Sequence, residues 1–378
     1  MNDVILTNVD LVLHDTVVRG ALRVDGGVIT EVTEGLRSVT GGVDGQGDLL
    51  LPGLIEIHTD ALEWHLRPRP QSLWPAAAAV AGHDAMLAAS GITTVLDSLC
   101  LGDLGGDGFR ADTLVSALTA ITSAQMNGHL RIDHQLHFRC EVADPRTPSL
   151  FDELSDNPLL RLVSLMDHTP GGRQYTDIDG YRRTISSYGH SDDEVSKRIA
   201  RLQERQAEYA MPNWARIAKL SVERGLPLAS HDDATTADIA LAVQSGVNIA
   251  EFPTTELAAV AAKAVGMSTA AGAPNIVRGG SHSGNVSATR LAGTGVLDII
   301  TSDYVPYSLL HAPFVLAAAG VLALPAAVAL VTAQPANAIG LVDRGRLAVG
   351  LRGDFVQVRV VDGVPIVRAV YSNGARVG

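Results

Sequence analysis

The sequence predicts an α/β protein that combines a TIM-like (β/α)₈ barrel with a small β-sandwich formed by both ends of the chain. Three observations predict this fold class. Strand-like apolar runs alternate with helix-like segments through the middle of the chain, several of those runs end in a histidine or a carboxylate, and both flanks consist of short alternating segments that are typical of half-buried strands.

The flanks predict the accessory β-domain. Residues 1–53 contain three alternating segments with a turn at Asp25-Gly26-Gly27, and residues 341–378 contain three more, of which GRLAVG at 345–350 is the first. Neither flank holds enough apolar residues to fold alone, so we expect the two to pair into one β-sandwich. The domain boundaries predicted in this way are 1–53 with 341–378 for the sandwich and 54–340 for the barrel.

The middle of the chain predicts eight strands, each followed by a helical or turn segment. Parallel barrels place catalytic groups at the carboxyl ends of their strands, so residues that are far apart in the sequence can meet at one mouth. The predicted strands span residues 54–60, 93–99, 136–142, 162–168, 228–233, 249–255, 267–274 and 297–304.

One long insertion interrupts this alternation, at about 171–225. Ser191 and Glu194 have the spacing of a capping box at the start of a charged helix that extends to about Ala210. Pro212 then starts a second helix, which Gly225 ends. Because the insertion follows a strand with a ligand-type residue, we expect it to lie over the mouth.

Composition and charge exclude several function classes. A net charge of −12 argues against binding to nucleic acid or to an anionic membrane, although it leaves an anionic small-molecule substrate open. There is no Gly-x-Ser-x-Gly nucleophile motif and no P-loop. The uncharged run 312–333 is interrupted by Gly320 and Pro325, which predicts two buried barrel helices rather than a membrane span.

The cysteines and the N-terminal residues bear on the cellular compartment that is expected for the protein. Two cysteines, Cys100 and Cys140, fall in predicted strands and give no disulfide framework, so a reducing cytoplasmic setting is expected. The first residues carry acidic side chains and no basic segment before a long apolar stretch, which argues against a secretory signal. The sequence leaves open whether the chain forms a homo-oligomer.

Six residues at predicted strand ends form a candidate ligand set for one or two divalent metal ions. Taken singly, each has an ordinary structural explanation: a hydrogen-bonded strand-end pair, a satisfied core histidine, or a helix N-cap. Taken together, they would need six separate explanations, whereas metal binding accounts for all of them. The set comprises His58, Asp60, Glu141, His168, His231 and Asp303. His58 and Asp60 are two apart, so on a strand their side chains would point to one side.

A second group of residues has the chemistry of an anion site. The segment 272–284 combines a flexible backbone with an arginine, serines and a histidine, which suits phosphate oxygens, although an ordinary glycine-rich connection has the same composition. Arg69 and Arg173 are further candidates for contacts with phosphate, with solvated surface as the alternative. The candidates within the segment are Arg278, Gly279, Gly280, Ser281 and His282.

The motif LLPGLIEIHTD resembles the first-strand motif of the amidohydrolase superfamily, with Asp60 where most members have a second histidine. Further motifs, among them RPRP at 67–70, AEFPTT at 250–255, GAPNIVRGGSHSGN at 272–285 and SDY at 302–304, resemble one subfamily in particular. It is the subfamily of ribosyl-methylphosphonate triphosphate diphosphatases of the carbon–phosphorus lyase pathway. The resemblance covers almost the whole chain.

The resemblance implies a reaction in which water splits α-D-ribose 1-methylphosphonate 5-triphosphate into the 5-phosphate and pyrophosphate. It implies metal-activated water as the nucleophile at the α-phosphorus and Asp303 as the base; zinc is the expected metal, with manganese or iron as alternatives. Two other functions stay open at this point: an amide or cyclic-imide hydrolase of the same superfamily, and a catalytically inactive binding member.

Overall fold

The computed structural model describes residues 3–35, 41–104, 108–175, 177–187, 189–281 and 284–378, and it contains strands that belong to two separate sheets. In chain order the strands are β1 (Val4–Val12), β2 (Val17–Asp25), β3 (Val28–Glu34), β4 (Val43–Asp44), β5 (Leu49–Pro52), β6 (Leu54–Thr59), β7 (Ile92–Leu101), β8 (Asp133–Glu141), β9 (Leu160–Met166), β10 (Leu228–His231), β11 (Ile249–Glu251), β12 (Ser268–Gly272), β13 (Ile299–Thr301), β14 (Phe355–Val361), β15 (Val364–Ser372) and β16 (Ala375–Arg376).

The strands β6 to β13 form a nearly closed parallel barrel in simple chain order. A parallel bridge between Thr59 and Asp303 links the end of β6 to the residues that follow β13. All eight predicted barrel strands are therefore confirmed. One local detail differs, because β6 ends at Thr59 and Asp60 lies beyond it, so the alternation argument that paired Asp60 with His58 does not extend to Asp60.

The second sheet joins the two ends of the chain, as predicted. Its order is β16-β15-β14-β5-β1-β2-β3, and β4 pairs with β1. The central joint is antiparallel pairing of β14 with β5, in which Phe355 lies opposite Pro52. Leucine, valine and isoleucine side chains from both chain ends share one buried core, and the Phe355 and Tyr371 rings stack at 4.4 Å between centroids.

The segment 345–350 is not the strand that its sequence predicts. Gly345 and Gly350 both have φ of +89°, a left-handed conformation that ends an extended run. The segment still contacts the sheet, because the Gly350 amide donates a hydrogen bond to the Ile29 carbonyl at 2.9 Å. It therefore covers an edge of the sheet as an irregular loop.

Fourteen α-helices are present in the described part of the chain: α1 (Leu62–Leu66), α2 (Ala76–Ala89), α3 (Phe109–Met126), α4 (Thr147–Leu154), α5 (Ile178–Ser187), α6 (Asp192–Arg205), α7 (Met211–Glu223), α8 (Thr236–Gln244), α9 (Glu256–Ala264), α10 (Ala273–Val277), α11 (Ala288–Gly293), α12 (Ser308–Ala318), α13 (Leu324–Ala329) and α14 (Ala333–Ala338). The run 312–333 contains α13 and parts of α12 and α14, which confirms that it is not one continuous span. Among the described residues, no helix combines the length and the apolar character needed to cross a membrane. Cys100 and Cys140 are both buried free thiols, as predicted.

The insertion at about 171–225 contains α5, α6 and α7. The predicted capping box is present, because Ser191 and Glu194 each bond the other's backbone amide. One π-helical turn, Gln206–Ala210, joins α6 to α7. Pro212 has no amide hydrogen to continue the α-helical ladder at this point, which explains the wider turn. The predicted second helix is therefore confirmed as α7, continuous with the first.

The chain divides into two compact units. The first unit consists of residues 1–97, 119–135 and 271–378, so it contains the terminal sheet and the strands β6 and β13. The second consists of residues 98–118 and 136–270, so it contains the insertion and the strands β9 to β11. The domain boundaries at 53 and 341 stay a prediction from the sequence.

A buried charge network fixes α2 against the barrel strands in the first unit. His134 Nδ1 lies 2.7 Å from Asp97 Oδ2, and His83 Nε2 lies 2.8 Å from Asp97 Oδ1. Asp84 accepts from the Arg131 side chain at 2.8 Å and lies 3.4 Å from His134 Nε2. Burial alone would lower the pKa of His134, but the two carboxylates raise it to about 9. His134 is therefore a buried cation at neutral pH.

We expect this network to give the protein a pH-dependent stability. The pKa of His134 rises from an ordinary 6.5 to about 9 on folding, so its contribution is complete below about 6.5 and is lost as the pH rises through about 9. In the parent protein this loss should lower the free energy of unfolding by about 3 kcal/mol as the pH rises through that interval. In His134→Gln this contribution to the fall should be absent. Chemical denaturation at several pH values measures this, with the exposed His129→Gln as the control. A His134→Gln protein with the parent's pH slope would contradict the assignment.

Candidate active site

The seam that closes the barrel positions His58 and Asp303. The Asp303 amide donates to the His58 carbonyl at 3.1 Å, and the Thr59 hydroxyl donates to the Asp303 carbonyl at 2.8 Å. Asp303 itself has φ of +55°, a left-handed conformation that aspartate tolerates better than most residues. His58 is buried, whereas Asp60 and Asp303 are half-buried. Both backbone bonds fix the Asp303 main chain, from which its carboxylate projects.

Glu56 is a buried acid beside this seam that the sequence reasoning did not single out. Its carboxyl oxygens accept the amide of His58 at 2.7 Å and the amide of Ser302 at 2.5 Å. Burial raises the pKa of Glu56 to about 8, although these hydrogen bonds act in the opposite direction. The side chain therefore ties the strand that carries His58 to the segment that carries Asp303. The signal in the sequence was a glutamate inside an otherwise apolar strand.

Glu141 is the last residue of β8, and His168 lies just beyond the end of β9. Their side chains contact each other directly. His168 Nδ1 is 2.7 Å from Glu141 Oε2, which leaves His168 Nε2 directed to the other side of the ring, 3.7 Å from Asp232. Burial lowers the pKa of His168, but Glu141 and Asp232 raise it above its ordinary value. Histidines that bind a metal through one ring nitrogen usually hydrogen-bond a carboxylate through the other. The contact between Glu141 and His168 has this arrangement.

His231, at the end of β10, completes a group of three candidate metal ligands with His168 and Asp232. Each residue can offer one ligand atom, and these atoms lie within 4.8 Å of one another. The two imidazole rings are 5.5 Å apart between centroids. Burial would raise the pKa of Asp232, but the neighbouring histidines lower it, so the group holds a carboxylate next to two imidazoles. Mixed imidazole and carboxylate donors suit zinc and other divalent transition ions.

Three residues of this region were missed by the sequence reasoning. Asp232 directly follows His231, and the ligand role was predicted for the histidine alone. The Asp232 backbone is left-handed, with φ of +59°. Glu251 ends β11 opposite His231 in the strand register, is buried, and belongs with His231 to a second group of candidate ligands. Arg139 is buried on β8, two residues before Glu141, and its positive charge acts on both His168 and Asp232. A charged residue inside an apolar strand was the available signal for Glu251 and Arg139.

Arg173, one of the predicted phosphate contacts, is already engaged by protein groups. Its Nη1 donates to the His231 carbonyl at 2.9 Å and to Asp233 Oδ1 at 2.7 Å. The guanidinium also lies 5.0 Å from the centroid of the Trp214 ring. Its side chain is only 10% exposed, so these contacts hold it under the loop that follows β10.

The predicted anion segment is organised around the short helix α10. The amides of Arg278, Gly279 and Gly280 donate to carbonyls of that helix at 3.0, 3.1 and 2.7 Å, so they close the helix end. The side chain of Arg278 is exposed, as is that of Arg69 in its tight turn. Ser281 is half-buried, and His282 lies outside the described residues. Because the backbone amides of 278–280 bond within the helix end, an anion at this segment would bind through the exposed Arg278 side chain.

Comparison with known proteins gives one strong relative in sequence and many in fold. No family model matches the chain. The chain is 45% identical over 376 residues, 99% of its length and all of the relative's, to α-D-ribose 1-methylphosphonate 5-triphosphate diphosphatase from Escherichia coli. Among solved structures, N-isopropylammelide isopropylaminohydrolase from Burkholderia multivorans superposes with a TM-score of 0.67 at 17% identity, covering 100% of this chain and 98% of that one.

A second solved structure is equally complete in coverage. N-acetyl-D-glucosamine-6-phosphate deacetylase from Mycobacterium smegmatis gives a TM-score of 0.63 at 15% identity over 100% of both chains. At these identities the structures establish the fold alone, which is the amidohydrolase-type barrel with its terminal sheet. Identity over the whole length decides the family: the chain belongs to the family of α-D-ribose 1-methylphosphonate 5-triphosphate diphosphatases.

Proposed function

We propose that this protein hydrolyses α-D-ribose 1-methylphosphonate 5-triphosphate to the 5-phosphate and pyrophosphate in a metal-dependent reaction. The observation that carries the proposal is the group of His168, His231 and Asp232, in a chain that is 45% identical to a diphosphatase of that name along its entire length. Attack of water at the α-phosphorus breaks the bond to the β-phosphate oxygen, so pyrophosphate leaves and the 5-phosphate remains.

One or two divalent ions, zinc first and manganese or iron as alternatives, fit the donors at the strand ends. His168, His231 and Asp232 would hold one ion, and Glu141 would orient His168 from outside, as its 2.7 Å contact with Nδ1 supports. His58, Asp60 and Asp303 stay proposed as further ligands, with Glu251 as an added candidate. A bound divalent ion lowers the pKa of water to near neutrality and stabilises negative charge on phosphoryl oxygens.

Asp303 is proposed as the general base. Its main chain is fixed to His58 and Thr59 by two hydrogen bonds, so its carboxylate is presented from a rigid seam rather than from a free loop. The carboxylate accepts one proton from the attacking water and returns it to solvent after the bond to the leaving group has broken. Such preorganisation reduces the entropy that is lost on reaching the reactive geometry.

Exposed arginines are proposed to supply positive charge for the triphosphate. Arg278 is exposed at the end of α10, and Ser281 and His282 follow it, so this segment is proposed to contact the leaving pyrophosphate. Gly279 and Gly280 allow the backbone to turn there, with φ of +80° and +154°, rather than binding through their amides. Arg69 is a second exposed candidate. The contacts of Arg173 with Asp233 and His231 favour a structural role for that residue.

We expect the purified protein to contain one to two divalent transition-metal ions per chain, because imidazole and carboxylate donors together select such ions. Elemental analysis measures the content, and dialysis against a chelator should abolish pyrophosphate release from the triphosphate. Added zinc, manganese or iron should restore the release. Full activity of metal-free protein in the presence of chelator would remove the central claim.

Asp303→Asn should lower kcat by about two to four orders of magnitude while metal content is largely retained, because the amide cannot accept the proton. Asparagine also tolerates the left-handed conformation at this position, so the backbone should be preserved. Asp362→Asn is the matched control, since Asp362 is an exposed turn residue with φ of +51°. Normal turnover by metal-replete Asp303→Asn protein would place the base elsewhere.

Arg278→Ala should remove a charge-assisted contact to phosphate that is worth about 1.5 to 3 kcal/mol, or roughly 10- to 150-fold in kcat/KM for the triphosphate. Activity towards an uncharged amide or ester should change much less. Arg346→Ala replaces another exposed arginine and serves as the control. Equal losses for both substrate types would indicate a structural arginine, and a metal-loaded parent protein that cleaves amides but never the triphosphate would favour an amide hydrolase.

A further inference from the structure

We propose that the insertion acts as a brace that positions the candidate metal ligands of the second unit, through four residues: Arg173, Gln206, Asn213 and Trp214. This inference rests on the proposed metal-dependent function. Arg173, Gln206 and Asn213 bond directly to the chain segments that carry His231, His168 and Glu141, and the fourth member, Trp214, packs against Arg173. Their proposed role is positioning, since their hydrogen bonds go to the segments that carry the candidate ligands.

Asn213 holds the segment that follows Glu141. Its Nδ2 donates to the Val142 carbonyl at 2.8 Å and to the Asp144 carbonyl at 3.1 Å, so one amide group clamps two successive parts of the turn after β8. Asn213 is 8% exposed and lies on α7, whose face with Trp214, Ile217 and Ala218 is buried. Because Glu141 bonds to His168 Nδ1, the clamp fixes the carboxylate that orients this ligand.

Gln206 holds the segment that contains His168. Its Nε2 donates to Asp167 Oδ2 at 2.5 Å, and the other oxygen of Asp167 accepts the Thr169 amide at 3.0 Å. Gln206 opens the π-helical turn between α6 and α7. The extra residue of a π turn rotates the preceding helix relative to the following one, so it allows Gln206 and Asn213 to face different loops. The π turn is thus the structural device that lets one continuous helix reach two ligand segments.

Arg173 holds the segment that contains His231. It donates to the His231 carbonyl and to Asp233, whose other carboxylate oxygen accepts the Ser230 hydroxyl, so residues on both sides of His231 are fixed. The Trp214 ring lies beneath the guanidinium at 5.0 Å, and the Trp214 indole donates to Ser245 at 2.8 Å. Arg173 has φ of +45°, an unfavourable conformation for arginine that the surrounding contacts must maintain.

Metal affinity depends on the free energy needed to bring ligands into place. Carbonyl and carboxylate contacts one or two residues from a ligand remove backbone freedom before the ion binds, so the entropic cost of assembling the centre falls. Outer contacts of this kind typically change metal affinity by about 10- to 100-fold when they are removed. We therefore expect the brace to determine how tightly, and in which geometry, an ion is held.

The test uses the full-length protein and cobalt(II) as the probe. We compare Asn213→Ala, Gln206→Ala and Arg173→Gln with the parent for cobalt affinity by chelator competition, for the visible absorption spectrum of bound cobalt, and for the melting temperature of metal-free protein. Each variant should bind cobalt about 10- to 100-fold more weakly and show an altered spectrum. Arg173→Lys should recover part of the affinity, since it keeps the charge beside Asp233.

Two control variants remove surface contacts from the same insertion. Arg216→Ala, on α7, removes an exposed bond to Asp152, and Arg183→Gln, on α5, removes an exposed pair with Asp177. Both should keep the parent's affinity and spectrum. Brace variants that melt at lower temperature but bind cobalt with unchanged affinity and spectrum would overturn the inference, because they would show a purely structural role. A parent protein that binds no cobalt and releases no pyrophosphate would overturn the proposed function itself, and the brace with it.

Discussion

The hydrogen bonds between the end of β6 and the residues after β13 are the interaction on which the barrel depends. A sheet that is open at this point would expose two edge strands and would leave His58 and Asp303 on separate, mobile chain ends. The amide of Asp303, the hydroxyl of Thr59 and the carboxyl of Glu56 close that gap within a few residues. Closure of the fold and placement of the proposed base are thus one event.

Buried charge is handled in two different ways in this molecule. In the network around His134 the charges balance, since Asp97 and Asp84 offset the imidazolium and Arg131 offsets Asp84. Around His168 and His231 the balance is different, because Glu141, Asp232, Glu251 and Arg139 concentrate charge of both signs at strand ends. Burying charge costs several kcal/mol per ion unless good geometry offsets it. A divalent cation among these carboxylates would provide that offset, which is a physical reason to place it there.

The sequence predicts the strands well, because each barrel strand is a short apolar run with a polar end and buried strands have few other patterns. It also predicts the capping box of α6, which depends only on residues three apart. Long-range pairing is beyond such patterns: nothing local links Arg173 to Asp233, 60 residues away. Glycine-rich segments gave two expectations that differ from the structure, one about a strand and one about the backbone amides of an anion site. Gly345 and Gly350 break a predicted strand, and the amides of Gly279 and Gly280 close a helix end instead of facing an anion.

The candidate site was predicted through its histidines more fully than through its carboxylates, and the reason is physical. A histidine after an apolar strand is unusual, whereas an aspartate beside it can cap a helix or end a strand, so Asp232 gives no separate signal. The insertion was expected to cover the mouth because of its length. Its contacts show where it touches the barrel: Asn213 and Arg173 bond to backbone carbonyls, and Gln206 bonds to the Asp167 carboxylate, each at or beside a candidate ligand. Such contacts restrict the backbone of the segments that carry the candidate ligands, so a few long-range hydrogen bonds carry the proposed effect of the insertion on metal binding.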